Sequence, residues 1–238
     1  HPVVMGPYDA FSREETVHDT IRVLERYVDL IVLRTFAQSH IEEVAEHASV
    51  PVVNALTDDY HPCQGLADLL TIRQHKGALK GLKLAYVGDG NNMAHTYLYA
   101  GALTGMNVAI AGPAGYEPSS AVVEHAKSLV SEFGTGATLT VTQDAAAAVA
   151  GADVVVTDTW ASMGQEAEHA KRVAEFAGYS VDAALMAKAD PAAIFMHCLP
   201  AHRGEEVTNE VIDSAASVVF DEAENRLHAQ RAWMSLVL

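Results

Sequence analysis

At 238 residues, half of them hydrophobic, the chain can bury a sizeable core, either as one large domain or as two small ones. Fifteen basic residues against 31 acidic ones give a formal net charge of -16, which repels nucleic acid and anionic membranes as bulk partners. An anionic small molecule would need a local basic pocket. No apolar run reaches the ~18 to 20 residues of a membrane span, and the opening HPVVMGPYDAF lacks the layout of a signal peptide, so a soluble cytoplasmic protein is expected. Cys63 and Cys198 are too few for a disulfide framework or a cysteine-rich zinc site and read as free thiols.

In chain order, short β-branched apolar runs alternate with longer amphipathic ones, the pattern of strands and crossover helices in a mostly parallel sheet. A helix over Glu14 to Tyr27 leads to a strand over Leu30 to Arg34, then a helix over Ser39 to His47 and a strand over Val52 to Ala55. A long helix follows over Pro62 to Lys76, with Pro62 suited to its first turn. HKGALKGLK, His75 to Lys83, is basic and marked by glycines, so a fresh α/β unit begins near Leu82. That unit alternates strands at Leu82 to Val87, Asn107 to Ala111, Thr138 to Val141, Val154 to Thr157, Ala193 to Met196 and Ser217 to Phe220 with helices. Those helices span Asn92 to Thr104, Ser119 to Phe133, Ala145 to Ala150, Gln165 to Phe176, Glu205 to Ser214 and Glu222 to Val237. The two strands before Leu82 make a poor sheet alone, and the start of the chain reads as the tail of something larger. At the other end Leu227, Ala232, Trp233, Leu236 and Leu238 form an apolar stripe that requires a partner surface.

The polar residues with chemical potential collect at strand ends and helix starts, where open α/β sheets keep their sites. In LAYVGDGNNMAH, Gly88 and Gly90 occupy the place of a dinucleotide-binding loop, yet Met93 stands where the third glycine belongs and no acidic residue ends the next strand. Of Asn91 and Asn92, one caps the following helix and the other is available to a polar ligand. In VVVTDTWASMGQE, Asp158 ends a strand and is either a helix cap or, with Ser162 and a Met163-Gly164 turn, a holder for a ligand's ammonium group. IFMHCLPAHRGEEV ends a third strand in His197, Cys198, Leu199 and Pro200. Cys198 there is buried filler or a reactive thiol, and His197 and His202 beside it assemble no tidy metal quartet. Arg34 closes LIVLRTF as a solvated charge or an anion ligand, while His61 caps or packs against its helix. Gln64 falls in the first helical turn, beside free N–H groups at the positive end of the dipole, a good place for a phosphate.

Taken together, DDYHPCQGLADLLTIRQHKG, VGDGNNMAH, DTWASMGQE, HCLPAHRGEE and DEAENRLHAQRA resemble the ornithine carbamoyltransferases, within the aspartate/ornithine carbamoyltransferase family, over about Arg13 to Leu238. The resemblance implies an α/β fold of two doubly wound parallel-sheet lobes joined by helices, the first lobe incomplete. It implies residues 1–60 as the remainder of a carbamoyl phosphate-binding domain and 61–80 as an interdomain helix. Residues 81–221 become an ornithine-binding domain, and 222–238 a helix returning to the first domain. It further implies transfer of the carbamoyl group from carbamoyl phosphate to L-ornithine, giving L-citrulline and phosphate, in a homotrimer or a multiple of trimers, with no metal and no organic cofactor. Position by position, Arg34, His61, Gln64 and Arg226 match carbamoyl phosphate ligands. Asn92, Asp158, Ser162 and Met163 match residues around ornithine's α-amino and α-carboxylate groups, and Cys198 and Leu199 match the loop near the reacting amine. His61, Cys198, Arg226 and Arg34 are then the catalytic set.

Two departures accompany the resemblance. The family's Ser-Thr-Arg-Thr-Arg phosphate signature does not occur in the 238 residues, and the expectation is a family member without the early part of its first domain, with doubtful activity alone. In GPYDAFSREET, Ala10 and Ser12-Arg13-Glu14 replace the glutamine and Gly-Arg-Gly turn usual in the family, where the resemblance implies a loop that reaches the neighbouring subunit's site. The rival expectations are a non-catalytic ornithine-binding or assembly fragment and, against the missing third glycine, an NAD-dependent oxidoreductase.

Overall fold

A computed structural model describes residues 2, 4, 15–161 and 166–238. Thr16 caps α1 (Val17–Leu24) through its side chain, which accepts from the Asp19 N–H. The chain then forms β1 (Ile31–Arg34), α2 (Gln38–His47) and β2 (Val52–Leu56), and the two strands pair in parallel as a small sheet. α3 (Pro62–Lys76) starts on Pro62 and stops at Gly77, whose φ of 81° ends the helix in the left-handed conformation that glycine adopts without strain.

Lys83 opens the second sheet, whose strands β3 (Lys83–Val87), β4 (Asn107–Ala111), β5 (Leu139–Thr142), β6 (Val154–Thr157) and β7 (Ile194–His197) all run parallel. Between them lie α4 (Asn92–Thr104), α5 (Ser120–Phe133), α6 (Ala145–Val149), a 3-10 turn at Glu166–Glu168, α7 (His169–Glu175) and α8 (Ala183–Met186). α9 (Asn209–Ile212) and α10 (Val219–Val237) follow the last strand. Leu84 to Val87, Val154 to Thr157 and Ile194 to His197 are buried without alternation, because helices cover both faces of a parallel sheet.

The strand order β5-β4-β3-β6-β7 sets the position of everything functional. From β3 the chain steps outward to β4 and β5, then returns to the other side of β3 for β6 and β7. The loops leaving β3 and β6 therefore diverge at adjacent carboxyl ends and open a crevice. No helix among the described residues is long and apolar enough to cross a membrane.

The helix expected over Glu14 to Tyr27 is Val17–Leu24, α8 was not expected, and three further expectations change. The strand expected over Ser217 to Phe220 shrinks to a single bridge between Ser217 and Phe195, and the chain is helical from Val219. Asp221 and Glu222 in that helix's first turn complement its dipole, which favours helix over a further strand. The helix expected over Glu205 to Ser214 keeps only Asn209–Ile212, because Gly204 and Val207 close a turn and Val207 bridges to Val181. The apolar stripe of α10 does not make that helix's main contact: Leu227, Leu236 and Leu238 are exposed. α10 instead lies against α3 through Asn225, Arg226 and Gln230, which bond to Thr71, Gln74, Gln64 and the Cys63 carbonyl.

The glycine loop after β3 is occupied by the protein's own chain. The Gly90 N–H donates to the Tyr116 carbonyl at 2.8 Å, and a Cβ on Gly90 would lie 2.2 Å from the Pro118 nitrogen. The glycine thus serves a backbone-to-backbone crossing, where a nucleotide reading would need the approach kept for pyrophosphate. Gly90→Ala forces backbone apart and is expected to cost about 1–3 kcal/mol or more. Urea unfolding of the variant checks this, and an unchanged midpoint would show that the crossing relaxes freely.

Candidate active site

Two groups of polar side chains face each other across the crevice. The first gathers around the start of α3. Arg34 ends β1 and His61 follows β2, so both come from the carboxyl edge of the small sheet. The His61 N–H is anchored on the Thr96 hydroxyl at 3.0 Å, and Thr96 in turn donates to the Asn92 carbonyl at 2.7 Å. The His61 ring is buried, and its Nδ1 has no hydrogen-bond partner. Burial, reinforced by the positive charges of Arg226 and Arg34, pushes the imidazole down to about 3. It is neutral at physiological pH and able to donate without bringing a charge. One turn on, the Gln64 Oε1 accepts from Arg226 at 2.6 Å, fixing the guanidinium of α10 over the start of α3. The Arg226 Nε is buried without a hydrogen-bond partner.

The second group sits at the ends of β3, β6 and β7. Asn91 caps α4, its Oδ1 accepting from the Met93 and Ala94 N–H groups at 2.9 and 3.3 Å. Its Nδ2 donates to Asp158 Oδ2 at 3.0 Å. The other Asp158 oxygen accepts from the Thr159 N–H at 2.8 Å and from the Cys198 thiol at 3.1 Å. Burial and the Asp158 charge raise the Cys198 thiol well above its ordinary value, so it stays protonated and acts as a donor. His197 Nδ1 accepts from the Leu199 N–H at 2.9 Å, which leaves the ring proton on Nε2, 3.1 Å from Glu206. Leu199 is held at φ 56°, a left-handed conformation that a branched residue seldom adopts, and a cis bond to Pro200 follows it.

Glu222 joins the two groups. Fully buried in the first turn of α10, it accepts from the Gln64 amide at 3.1 Å with one oxygen and from the His197 N–H at 2.9 Å with the other. Beside it, Asp68 accepts from the same Gln64 amide at 2.8 Å and from the Tyr97 hydroxyl at 2.8 Å.

The chain matches two family models: the carbamoyl-P binding domain of aspartate/ornithine carbamoyltransferase over residues 1–74, and the Asp/Orn binding domain over residues 80–237. It belongs to the aspartate/ornithine carbamoyltransferase family. Among its relatives, the ornithine carbamoyltransferase of Rhodococcus jostii is 55% identical over 237 residues, covering 99% of this chain and 75% of the relative. That of Carboxydothermus hydrogenoformans is 58% identical over 244 residues, covering 99% and 78%. The structure of ornithine carbamoyltransferase from Pyrococcus furiosus superposes with a TM-score of 0.90 at 52% identity, covering 94% of this chain and 71% of that one. The Gloeobacter violaceus enzyme gives 0.85 at 50% identity, with 92% and 73% covered.

Within this family member, the fold brings His61, Gln64 and Arg226 together, places Arg34 where its charge acts on His61, and sets Asp158 against Cys198. Asn92 lies one position past the cap and donates to the Thr57 carbonyl at 3.0 Å, so it spans from α4 to the loop after β2. Ser162 and Met163 lie outside the described residues, as do Ala10, Ser12, Arg13 and Glu14. Cys63 is buried with its thiol toward the Asn54 carbonyl and belongs to the packing.

Asp68 and Glu222 were not singled out from the sequence. Their signal was spacing: Gln64 with Asp68 and Glu222 with Arg226 are each i, i+4 pairs, polar side chains on faces that turn inward. Burial raises both carboxyls, and the Asp68 charge pushes Glu222 further up, so Glu222 keeps its proton while Asp68 rises only to about 6. Because the folded form of Asp68 binds its proton more tightly than an unfolded one near 3.8, its contribution to stability is present at low pH and declines as pH rises from about 4 to about 6. Asp68→Asn should remove that decline. The stability gap between variant and parent, from denaturant unfolding at each pH, is expected to shift in the variant's favour by on the order of 2 kcal/mol across this window. Parallel curves would show that the pair is not desolvated as described.

Proposed function

We propose that the chain is an ornithine carbamoyltransferase whose site lies in this crevice, with carbamoyl phosphate held by Arg34, His61, Gln64 and Arg226. L-Ornithine is held by Asn92, Asp158, Ser162, Met163, Cys198 and Leu199. The observation that carries this reading is the high identity to ornithine carbamoyltransferases through both the small-sheet and large-sheet parts of the chain. On this reading residues 1–60 belong to the carbamoyl phosphate domain and 61–80 form the interdomain helix. Residues 81–221 bind ornithine, and 222–238 return to the first domain. A homotrimer or a multiple of trimers, a cytoplasmic location and a place in arginine metabolism go with it.

The chemistry follows from the residue types. The neutral δ-amine of ornithine attacks the carbamoyl carbon and negative charge gathers on the carbamoyl oxygen; as the tetrahedral centre collapses the carbon–oxygen bond to phosphate breaks, and the proton given up by the attacking nitrogen leaves with the phosphate. The neutral His61 N–H and the guanidinium groups of Arg226 and Arg34 face that charge as fixed donors, each worth roughly 3 to 4 kcal/mol where comparable donors have been removed. Gln64 holds the Arg226 guanidinium, so the donor array requires little rearrangement during reaction. Across the crevice the Asp158 carboxylate attracts ornithine's ammonium. The protonated Cys198 thiol beside it leaves that carboxylate, and not a thiolate, as the local charge.

His61→Ala should lower kcat about 100- to 1000-fold. Cys198→Ala and Asp158→Asn should raise the KM for ornithine at least about tenfold while leaving that for carbamoyl phosphate within about twofold, since their contacts lie on the ornithine side. Steady-state kinetics in both substrates decides, and unchanged parameters in both ornithine-side variants would remove the assignment.

The family's Ser-Thr-Arg-Thr-Arg string is not present in these 238 residues, and charge-assisted phosphate bonds of about 1.5–3 kcal/mol each go with it. Citrulline formation by the 238 residues alone is expected to fall far below that of the same chain preceded by a relative's N-terminal segment carrying the string. Equal rates in both would show the string to be dispensable. Ornithine binding without turnover in both would favour a non-catalytic binding fragment.

A further inference from the structure

His202, Glu205 and Glu206 follow the strand end that carries Cys198, and of the three only Glu206 touches the site described above, through one oxygen on His197 Nε2. Their side chains can each present one ligand atom, with all three atoms within 4.8 Å of one another. The Glu206 side chain is fully buried, and its two oxygens are used unequally. Oε1 lies 3.1 Å from His197 Nε2 and accepts from the His202 N–H at 2.5 Å. Oε2 is buried with no hydrogen-bond partner, and His202 Nδ1 lies 3.6 Å from it. A buried carboxylate oxygen left so is costly unless a cation meets it. The guanidinium of Arg203 does not, because it bonds to Asp213 at 2.6 and 2.8 Å and to Asn209 at 3.0 Å.

The surrounding backbone holds this cluster in place. The Glu205 N–H donates to the His202 carbonyl at 3.0 Å and the Gly204 N–H to the Val207 carbonyl at 2.8 Å, closing a tight turn. The Val181 N–H ties the Glu206 carbonyl to the body of the domain at 2.8 Å. From α7, His169 Nε2 lies 2.9 Å from the Glu205 carboxylate, and its ring centroid is 5.8 Å from that of His202. The sequence suggested His202 only as a companion of His197 and Cys198. The fold gives it two carboxylates and a second imidazole instead.

We propose that His202, Glu205 and Glu206 form a binding site for a divalent cation of the borderline class typified by Zn2+, with His169 holding the Glu205 carboxylate beside it. Imidazole with carboxylate oxygen is a donor set for zinc and its neighbours, whereas Mg2+ prefers oxygen and water alone. A cation there would be met by the orphaned Glu206 oxygen and would tie the segment after Leu199 to the start of α7.

The test separates this site from the neighbouring Asp158, His197 and Cys198, which also lie within ligand spacing of one another. Chelator-stripped protein carrying Cys198→Ser is titrated with Zn2+ against a chromophoric chelator, then again with His202→Ala or Glu205→Gln added. Both added changes are at side chains with solvent access, and circular dichroism checks that the variants fold. The expected result is Zn2+ bound by the Cys198→Ser protein, affinity at least tenfold weaker in each added variant, and no competition from millimolar Mg2+. Failure of the Cys198→Ser protein to bind Zn2+, or the same affinity after His202→Ala and Glu205→Gln, would overturn the proposal.

Discussion

The buried carboxyl of Glu222 is the point on which the site's assembly rests. It receives the Gln64 amide from the start of α3 and the His197 N–H from the end of β7, so one side chain sets the spacing between the two groups of polar side chains. A buried acid is costly unless its acceptors are filled, and here both oxygens are. Asp68 completes the arrangement. With two carboxyls close together out of water, one retains its proton, and the Gln64 amide is held by both of them. Gln64 is thereby left one orientation, with its own oxygen toward Arg226.

That geometry reconciles an acidic chain with an anionic substrate. A formal charge of -16 would repel carbamoyl phosphate in bulk, but the crevice mouth gathers Arg34 and Arg226 around a neutral histidine. The carboxylates of the same neighbourhood are engaged: Asp68 and Glu222 share a proton behind Gln64, and Asp158 accepts from Asn91 and Cys198. Local order of charge, set by strand ends at the switch point, outweighs the net value because interactions at a few ångströms in a partly buried site are screened far less than the surface field.

Much of this was legible residue by residue. Helices α3 and α4 have the limits that Pro62, Gly77, Asn91 and Gly105 suggest, since proline starts, carboxamide caps and left-handed glycine ends act within a few residues of chain. β4 and β6 likewise coincide with their apolar runs, whose burial on both faces leaves no alternation to confuse the reading. Arg34, His61, Gln64, Arg226, Asp158 and Cys198 could be put forward as candidate ligands because their motifs resemble a family. Nothing local indicated that Asn91 would both cap α4 and hold Asp158, or that Asn92 would reach the Thr57 carbonyl.

The sequence by itself determined the elements and the chemical inventory: parallel α/β strands, helix caps, an acidic surface and the identity of the groups that can donate to a phosphate. These depend on periodicity and on side-chain chemistry, which are properties of short stretches. Only the tertiary structure decided which of those groups meet. Gln64 and Arg226 are 162 positions apart and Gln64 and Glu222 158, contacts that exist because α10 turns back along α3. The same return explains why α10 packs with Asn225, Arg226 and Gln230 inward while Leu227 and Leu236 stay exposed. Side-chain periodicity marks a face as apolar, but the orientation of a helix follows from the partners that satisfy its polar groups, and those partners come from distant chain.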